Sequence, residues 1–382
     1  MDEKLKALNI NNKYDMGNYH DKSMFIYFFY VALSTDIITS IAMSRTTLKD
    51  IALELNISVS TVSKALSDSY EISEATKKIV QEYARKHNFH PNKLARSLKI
   101  GKSNTIGVIV SNISNTFVSQ ILDGIQIASQ QTIYDIIFMQ SREDERIEKN
   151  CIDVLRMRGI DGLMIAPVSS GSNIEELKAL IKAKIPVVIF DRINHKLDTF
   201  KVGVNNFQGA YDATQHLIQQ GKRNILHITG KNLGVAEERL NGFKAALSDA
   251  GIPFNQNHYI ECNFNSTADL DKTIKEILIK EYVNHKNIDA IFGATDVITT
   301  RTLGILAELQ VEVPAQVAVI GFSNTQIAAS LNPALSTVVQ PATEIGELAT
   351  KKLIETINMT RPIHEFETIE LPTQLIVRKS SL

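Results

Sequence analysis

An α/β protein carrying a small helical head is predicted by three observations. Short Ile/Val-rich runs alternate with helix-period segments through residues 104–382, three amphipathic helices precede them, and charge divides between the two parts. Residues 44–103 hold 11 Lys/Arg against 6 Asp/Glu, whereas residues 104–382 hold 26 against 31. A basic module ahead of an acidic one is the asymmetry expected when only the first part meets a polyanion. At 382 residues, 44% hydrophobic and 22% charged, the chain is long enough for two or three ordinary globular domains. Its two cysteines, Cys151 and Cys262, lie far apart with no Cys or His at ligand spacing. They predict neither a disulfide framework nor a zinc site, and fit a reducing, cytoplasmic setting.

Residues 1–22 are polar and mixed in charge, the composition of a tail. They lead into "MFIYFFYVALSTDIITSIAM", Met24 to Met43, twenty residues with a single charge at Asp36. Its length suits a bilayer span, but Asp36 would cost about 2.5–3.5 kcal/mol there, and Ser34, Thr35, Thr39 and Ser40 weaken it further. As a signal peptide it lacks a basic lead and a small-x-small cleavage site.

The next segment, "RTTLKDIALELNISVSTVSKALSD", reads as a helix-turn-helix. Thr47 with Asp50 three positions on makes a capping pair, and Leu48, Ile51, Ala52 and Leu55 form one apolar face. Asn56 falls where a sharp turn needs positive φ, which Asn tolerates. Ser58 then caps a second helix with Val62, Ala65 and Leu66 inward, and Val59, Ser60, Thr61, Ser63 and Lys64 on its outer, N-terminal side. Hydroxyls, those of the capping residues Thr47 and Ser58 included, serve bases or phosphates at the DNA, Val59 suits a thymine methyl, and Lys64 suits a guanine edge or a phosphate. A third helix is predicted from Ser73, with Ile79, Val80 and Tyr83 as its stripe, ending at Asn88 before Pro91. On helix pattern alone, an unspecialised three-helix subdomain would look the same; the basic excess favours DNA.

The strand runs are "TIGVIVS", "YDIIFM", "DGLMIA", "IPVVIF", "KVGVNN", "RNILHIT", "NHYIECN", "IDAIFG" and "VAVIGF". Runs apolar on both faces argue for parallel sheets, and about ten strands exceed what one such open sheet usually carries, so two doubly wound sheets are predicted. A break is placed after "KVGVNN", with the late run "LSTVVQP" letting the chain cross back.

The helix-turn-helix followed by "NFHPNKLARSLKIGKSNTIGVIV" resembles the head and hinge of the lactose/galactose repressor family of bacterial transcription regulators, and the resemblance runs from about Arg45 to the C-terminus. It implies a domain plan: residues 1–43 an extension, 44–91 the head, 92–103 hinge and linker, and 104–382 a two-lobed periplasmic-binding-protein-like core. The first lobe would take 104–203 plus 341–364, the second 204–340 plus 365–382. It also implies a hinge helix over Asn92 to Leu98, formed when two subunits pair on an operator, with Asn92, Ala95, Arg96 and Leu98 at the DNA and Leu98 a minor-groove lever. The apolar strip Leu94, Ala95 and Leu98 suits such a wedge, and seven residues are too few for a stable isolated helix.

Ligands of open α/β sheets gather beyond the carboxyl ends of strands. There the resemblance places Asn115 and Phe117 in "SNISNTFV", Asp191 and Arg192 after "IPVVIF", and Asn205 after "KVGV", with Asn206 beside it. It adds Arg239 in "GVAEERLNGF" as the ligand-gripping arginine, Asp296 in "GATDVITT", and Ser323 and Asn324 in "GFSN". Carboxylates, amides and an Arg fork beside Phe faces are what a polyhydroxylated ligand needs. Two departures stand out: Thr116 replaces the family's usual proline, and Ser323 its usual sugar-gripping aspartate, so lactose- or galactose-like specificity does not transfer directly.

No P-loop, "HExxH" or "GxSxG" pattern occurs and the nine histidines are scattered, so neither catalytic residues nor a metal or cofactor site is assigned. The function this implies is a cytoplasmic, sequence-specific transcriptional regulator, a repressor, binding operator DNA as a homodimer and answering to a small molecule, a sugar above all. "VRKSSL" ends the chain without a leucine heptad, which favours a dimer over a coiled-coil tetramer. The rivals are an exported or membrane-anchored sugar receptor, for which a helix-turn-helix has no use, and a sugar-processing enzyme on the same core. Family heads begin a few residues before the capping threonine, and "MSRTTLKDIA" has that form, so Met43 is read as the start of translation, with 1–42 an over-extension.

Overall fold

The computed structural model describes residues 46–89, 102–231, 234–263, 267–359 and 365–382, so the predictions for residues 1–43 and for Asn92, Ala95, Arg96 and Leu98 lie outside the described residues. The chain separates into two units at about residue 93.

The first unit holds α1 (Leu48–Glu54), α2 (Val59–Leu66) and α3 (Glu74–Lys86). Thr47 closes a full capping box: its hydroxyl accepts from the Asp50 N–H at 3.3 Å while the Asp50 carboxylate accepts from the Thr47 N–H at 2.7 Å. Such a cap contributes about 0.5–2 kcal/mol. Asn56 takes φ of 52°, turning the chain so that Ser58 caps α2 at the Thr61 N–H, 3.0 Å away. Ile51, Val62, Ala65 and Val80 are fully buried at the centre. Ile79 departs from its expected place, being 56% exposed. Ala84, one turn beyond Val80, closes the face of α3 instead. Lys77 buries its stem beneath Asp68 and Glu74, each 2.8 Å from its ammonium.

The second unit begins with β1 (Thr105–Val110), α4 (Thr116–Ser129), β2 (Asp135–Gln140), α5 (Glu145–Met157), β3 (Gly162–Ile165), α6 (Ile174–Lys182), β4 (Val187–Asp191) and β5 (Phe200–Val204). It continues with α7 (Asn206–Gln219), β6 (Ile225–Gly230), α8 (Ala236–Asp249), β7 (Tyr259–Cys262), α9 (Thr267–Leu278), β8 (Ala290–Gly293), α10 (Asp296–Glu308) and β9 (Ala318–Phe322). It ends with β10 (Ser336–Val339), α11 (Ala342–Asn358), β11 (Thr368–Leu371) and β12 (Gln374–Ile376).

Two six-stranded sheets result, ordered β11-β5-β4-β3-β1-β2 and β12-β10-β9-β8-β6-β7. Every pairing is parallel except that of β10 with β12. Each sheet is covered on both faces, which is why its central strands are mainly apolar: β1, β3 and β4 in the first sheet, β6, β8 and β9 in the second. All ten runs read from the sequence are strands. The doubly wound, two-lobed architecture is as expected.

The chain passes between lobes three times: after Val204, from Gln340 into α11, and between Leu371 and Gln374. The third passage corrects the lobe boundary. Residues 365–382 do not all belong to the second lobe, because Thr368–Leu371 pair in parallel with Lys201–Val204 and extend the first sheet. α11 lies on the first lobe, where Gly124 and Gly346 let α4 and α11 touch; a Cβ at either would run into a backbone oxygen of the other helix.

Candidate functional site

In the first unit, α2 presents its N-terminal side to solvent. Val59 is 40% exposed, Ser60, Ser63 and Lys64 are exposed, and the Ser58 and Thr61 hydroxyls lie 2.8 Å apart. Two of the predicted contacts already hold local structure, Thr47 in its capping box and Ser58 at the start of α2. Lys64 pairs with Glu71, both about half exposed, an arrangement that a phosphate can displace cheaply. Tyr70, 93% exposed in the turn after α2, was not foreseen.

In the second unit the strand ends of both lobes converge on Arg239, which is only 4% exposed. It stands one turn inside α8, and each of its three guanidinium nitrogens donates to the chain: Nε to Asn206 Oδ1 at 2.8 Å, Nη1 to the Ala294 carbonyl, and Nη2 to Gln340 Oε1 at 3.4 Å. The plane lies over the Phe322 ring, 3.6 Å from Cζ to centroid. Burial lowers its pKa to about 10, and Asp191 and Glu238 oppose that fall. Beneath it, His227 is fully buried among Phe243, Phe292 and Tyr259, and burial drives its pKa down to about 3, so it is neutral.

Carboxyl groups stand at the strand ends about this hub: Asp191 and Glu238 act on Arg239 directly, and Asp296 follows two residues after its partner Ala294. Asp296 opens α10 and accepts from the Ser323 hydroxyl, so the serine that replaces the family's aspartate holds a carboxylate from the next strand end. The carboxylate of Asp191, at the end of β4 with φ of 64°, accepts no hydrogen bond among the described residues; its nearest cation is Arg192 Nε at 3.8 Å. Asn206 lies beside Glu238 and draws its pKa down against burial. Burial raises the pKa of Asp191, Asp296 and Glu238 alike, and the neighbouring guanidinium groups or hydroxyl only partly offset it.

Two predicted cleft residues are placed differently. Arg192 does not face the cleft as an open fork, because Glu143 takes it with both carboxylate oxygens, at 2.6 and 2.7 Å, and the Pro167 and Val168 carbonyls take the rest of Nη1. Phe117, 8% exposed, packs into the first lobe's core beside Val110 and Ala342, since α4 turns that face onto the sheet. Asn115 and Asn205 spend their side-chain oxygens capping α4 and α7. Asn324 joins the lobes: its amide brackets the Gln340 backbone, accepting from N–H at 3.0 Å and donating to C=O at 2.7 Å, and also donates to Gln120 Oε1 at 2.7 Å.

Gln340 was missed. It is 5% exposed in the second crossover, and while its oxygen accepts from Arg239, its Nε2 is buried without a partner among the described residues. A recess of about 440 Å³ lies beside it, lined also by Gln120, Asn324 and Arg378. A second recess, of about 410 Å³, opens at the first crossover against Asn206, Glu238 and Glu370.

Among the described residues no His/Cys/Asp/Glu group is arranged to hold a metal ion, and no helix is long and apolar enough to cross a membrane.

Comparison with known proteins matches residues 47–92 to the family model of bacterial regulatory proteins, lacI family, and residues 214–381 to that of a periplasmic binding protein-like domain. An HTH-type transcriptional repressor PurR of Aliivibrio fischeri (strain MJ11) is 30% identical over 338 residues, 88% of this chain and 98% of that protein. Catabolite control protein A of Priestia megaterium is 28% identical over 341 residues, 88% and 99% of the two chains. Among solved structures, the lac repressor dimer bound to operator and an anti-inducer superposes with a TM-score of 0.75 at 21% identity, covering 89% of this chain and 100% of that one. A complex of the transcriptional regulator CelR with cellobiose gives 0.64 at 24% identity, over 88% and 100%.

Proposed function

This chain belongs to the lacI family of bacterial regulatory proteins, and from that premise we propose that it is a cytoplasmic, homodimeric repressor whose grip on operator DNA is set by a small carbohydrate held between the two lobes of its core. That it is a DNA-binding transcriptional regulator follows from the family; the repressor sign, the dimer and the carbohydrate are the proposal. The observation that carries it is the hub at Arg239, where carboxylates, amides and one unpaired amide donor from both lobes surround a buried guanidinium. Hydroxyl groups, which donate and accept, match such a set. One relative is named for the ribose operon and one solved relative holds cellobiose, which supports a saccharide.

In this reading Val59, Ser60, Thr61, Ser63 and Lys64 of α2 enter the major groove, and Leu98 of the hinge wedges the minor groove between paired subunits. Ligand in the cleft biases one arrangement of the lobes over the other, and so the spacing of the two heads. An anchored or exported receptor would leave the head without a target.

The test is a genomic binding selection with the purified full chain: enrichment of a pseudo-palindromic site, weakened steeply by salt, is the expected result. Leu98→Ala is expected to weaken specific binding far more than non-specific binding. Absence of any enriched sequence would refute the regulator, and equal loss on both kinds of DNA would refute the lever.

A further inference from the structure

The polar inventory of the cleft also constrains the charge of what it holds, an inference that rests on the effector reading above. Neither arginine offers an anion an open fork. All three nitrogens of Arg239 donate to Asn206, Ala294 and Gln340, and its face is taken by Phe322. The terminal nitrogens of Arg192 are engaged by Glu143, Pro167 and Val168. The groups left short of partners near these arginines, among the described residues, are two carboxylates and two donors. The Asp191 carboxylate accepts no hydrogen bond among the described residues, and the Asp296 carboxylate accepts one, from Ser323. The unpartnered donors are neutral or turned to a carboxylate: Gln340 Nε2 is an amide, and Arg192 Nε points to Asp191.

Counted as charge, four carboxyl groups, Glu143, Asp191, Glu238 and Asp296, stand against the guanidinium groups of Arg192 and Arg239, while the recess beside Gln340 adds one group of each sign, Glu344 and Arg378. A phosphate or carboxylate entering here meets a surplus of its own sign and no free bidentate partner. A neutral polyol meets carboxylates that want donors and an amide that wants an acceptor. A flat base gains nothing from Phe322, whose face is covered.

We propose that the effector is an uncharged polyhydroxylated molecule and that the cleft rejects phosphorylated forms of the same sugar, with Asp191, Asp296 and Glu238 as the discriminating groups.

The experiment is a dye-based thermal-shift titration of the full chain with matched pairs: ribose and ribose 5-phosphate, glucose and glucose 6-phosphate, fructose and fructose 6-phosphate, cellobiose and its phosphate ester. The expected result is stabilisation by a neutral member, with its ester at least about tenfold weaker. An ester binding as tightly as its parent sugar, or more tightly, overturns the proposal and leaves the effector reading standing. A shift from no compound counts against the effector reading itself, and the proposal falls with it. Glu238→Gln and Asp296→Asn, which keep shape and remove charge, are expected to narrow the ratio between sugar and ester. A ratio unchanged in both variants would show that these carboxyls do not discriminate.

Discussion

The two lobes each bring a buried arginine to the ends of their strands, and they hold it in opposite ways. In the first lobe Arg192 is neutralised by a bidentate carboxylate, Glu143, and ties two further loops through Pro167 and Val168. Around it three non-glycine residues, Arg142, Glu143 and Asp191, take left-handed φ of 52°, 59° and 64°. Each such residue costs on the order of 1–2 kcal/mol, so the clamp is what keeps these loops in place. In the second lobe Arg239 is held by neutral oxygens and an aromatic face, and none of those partners takes a left-handed φ. The contrast separates architecture from recognition: the paired arginine sets the shape of one wall, and the one without an ion pair stands at the centre, under the influence of Asp191 and Glu238.

The largest effect expected from that contrast is on stability, at Arg192. Arg192→Met removes one partner of a pair whose arginine side chain is 6% and whose carboxylate 38% exposed. Discounted for the solvent that reaches Glu143, the cost is about 3 kcal/mol in urea unfolding, and Glu143→Met added to it should recover part of the loss. A loss below about 1 kcal/mol would mean the strained loops hold themselves and the contrast is false. Arg239→Lys, by comparison, keeps the charge but cannot reach Asn206, Ala294 and Gln340 together, and is expected to cost about 1–2 kcal/mol. If the lysine variant were the less stable of the two, Arg239 would be the architectural residue.

How far this was legible in the sequence depends on whether the signal was local. The caps at Thr47 and Ser58, the turn at Asn56 and all ten apolar runs are short-range patterns, and each is where it was read. Thr368–Leu371 and Gln374–Ile376 were overlooked because both are short edge strands of exposed and half-buried residues flanking Pro372, without a doubly covered apolar run. Arg239 was placed by resemblance, but nothing near Arg192 reveals that Glu143, 49 positions earlier, would occupy it. Gln340 had a usable signal, a polar residue directly after the strand run "LSTVV", the same logic that selected Asp191. Phe117 was misplaced because the direction of a side chain in the first turn of α4 is decided by how that helix packs, not by the loop before it.

The smallest expected effect tests whether Asp191 belongs to the clamp or to the ligand. Burial raises its pKa above the ordinary 3.8, and Arg192 and Arg239 only partly offset that. A carboxyl with a raised folded pKa binds more protons folded than unfolded, so its penalty is fully present above the folded pKa and is relieved as pH falls towards 3.8. Asp191→Asn is therefore expected to raise the urea midpoint of the ligand-free chain at pH 7, and the gain should shrink on acidification through that window. Glu143→Gln, which takes a charge from the clamp, should lower the midpoint instead. A buried carboxylate that destabilises the empty protein is what a site kept for a ligand looks like, because stability is forgone where a hydroxyl donor is to bind. A lowered midpoint in Asp191→Asn would place this residue with Arg192 and Glu143, as a third member of the first lobe's scaffold.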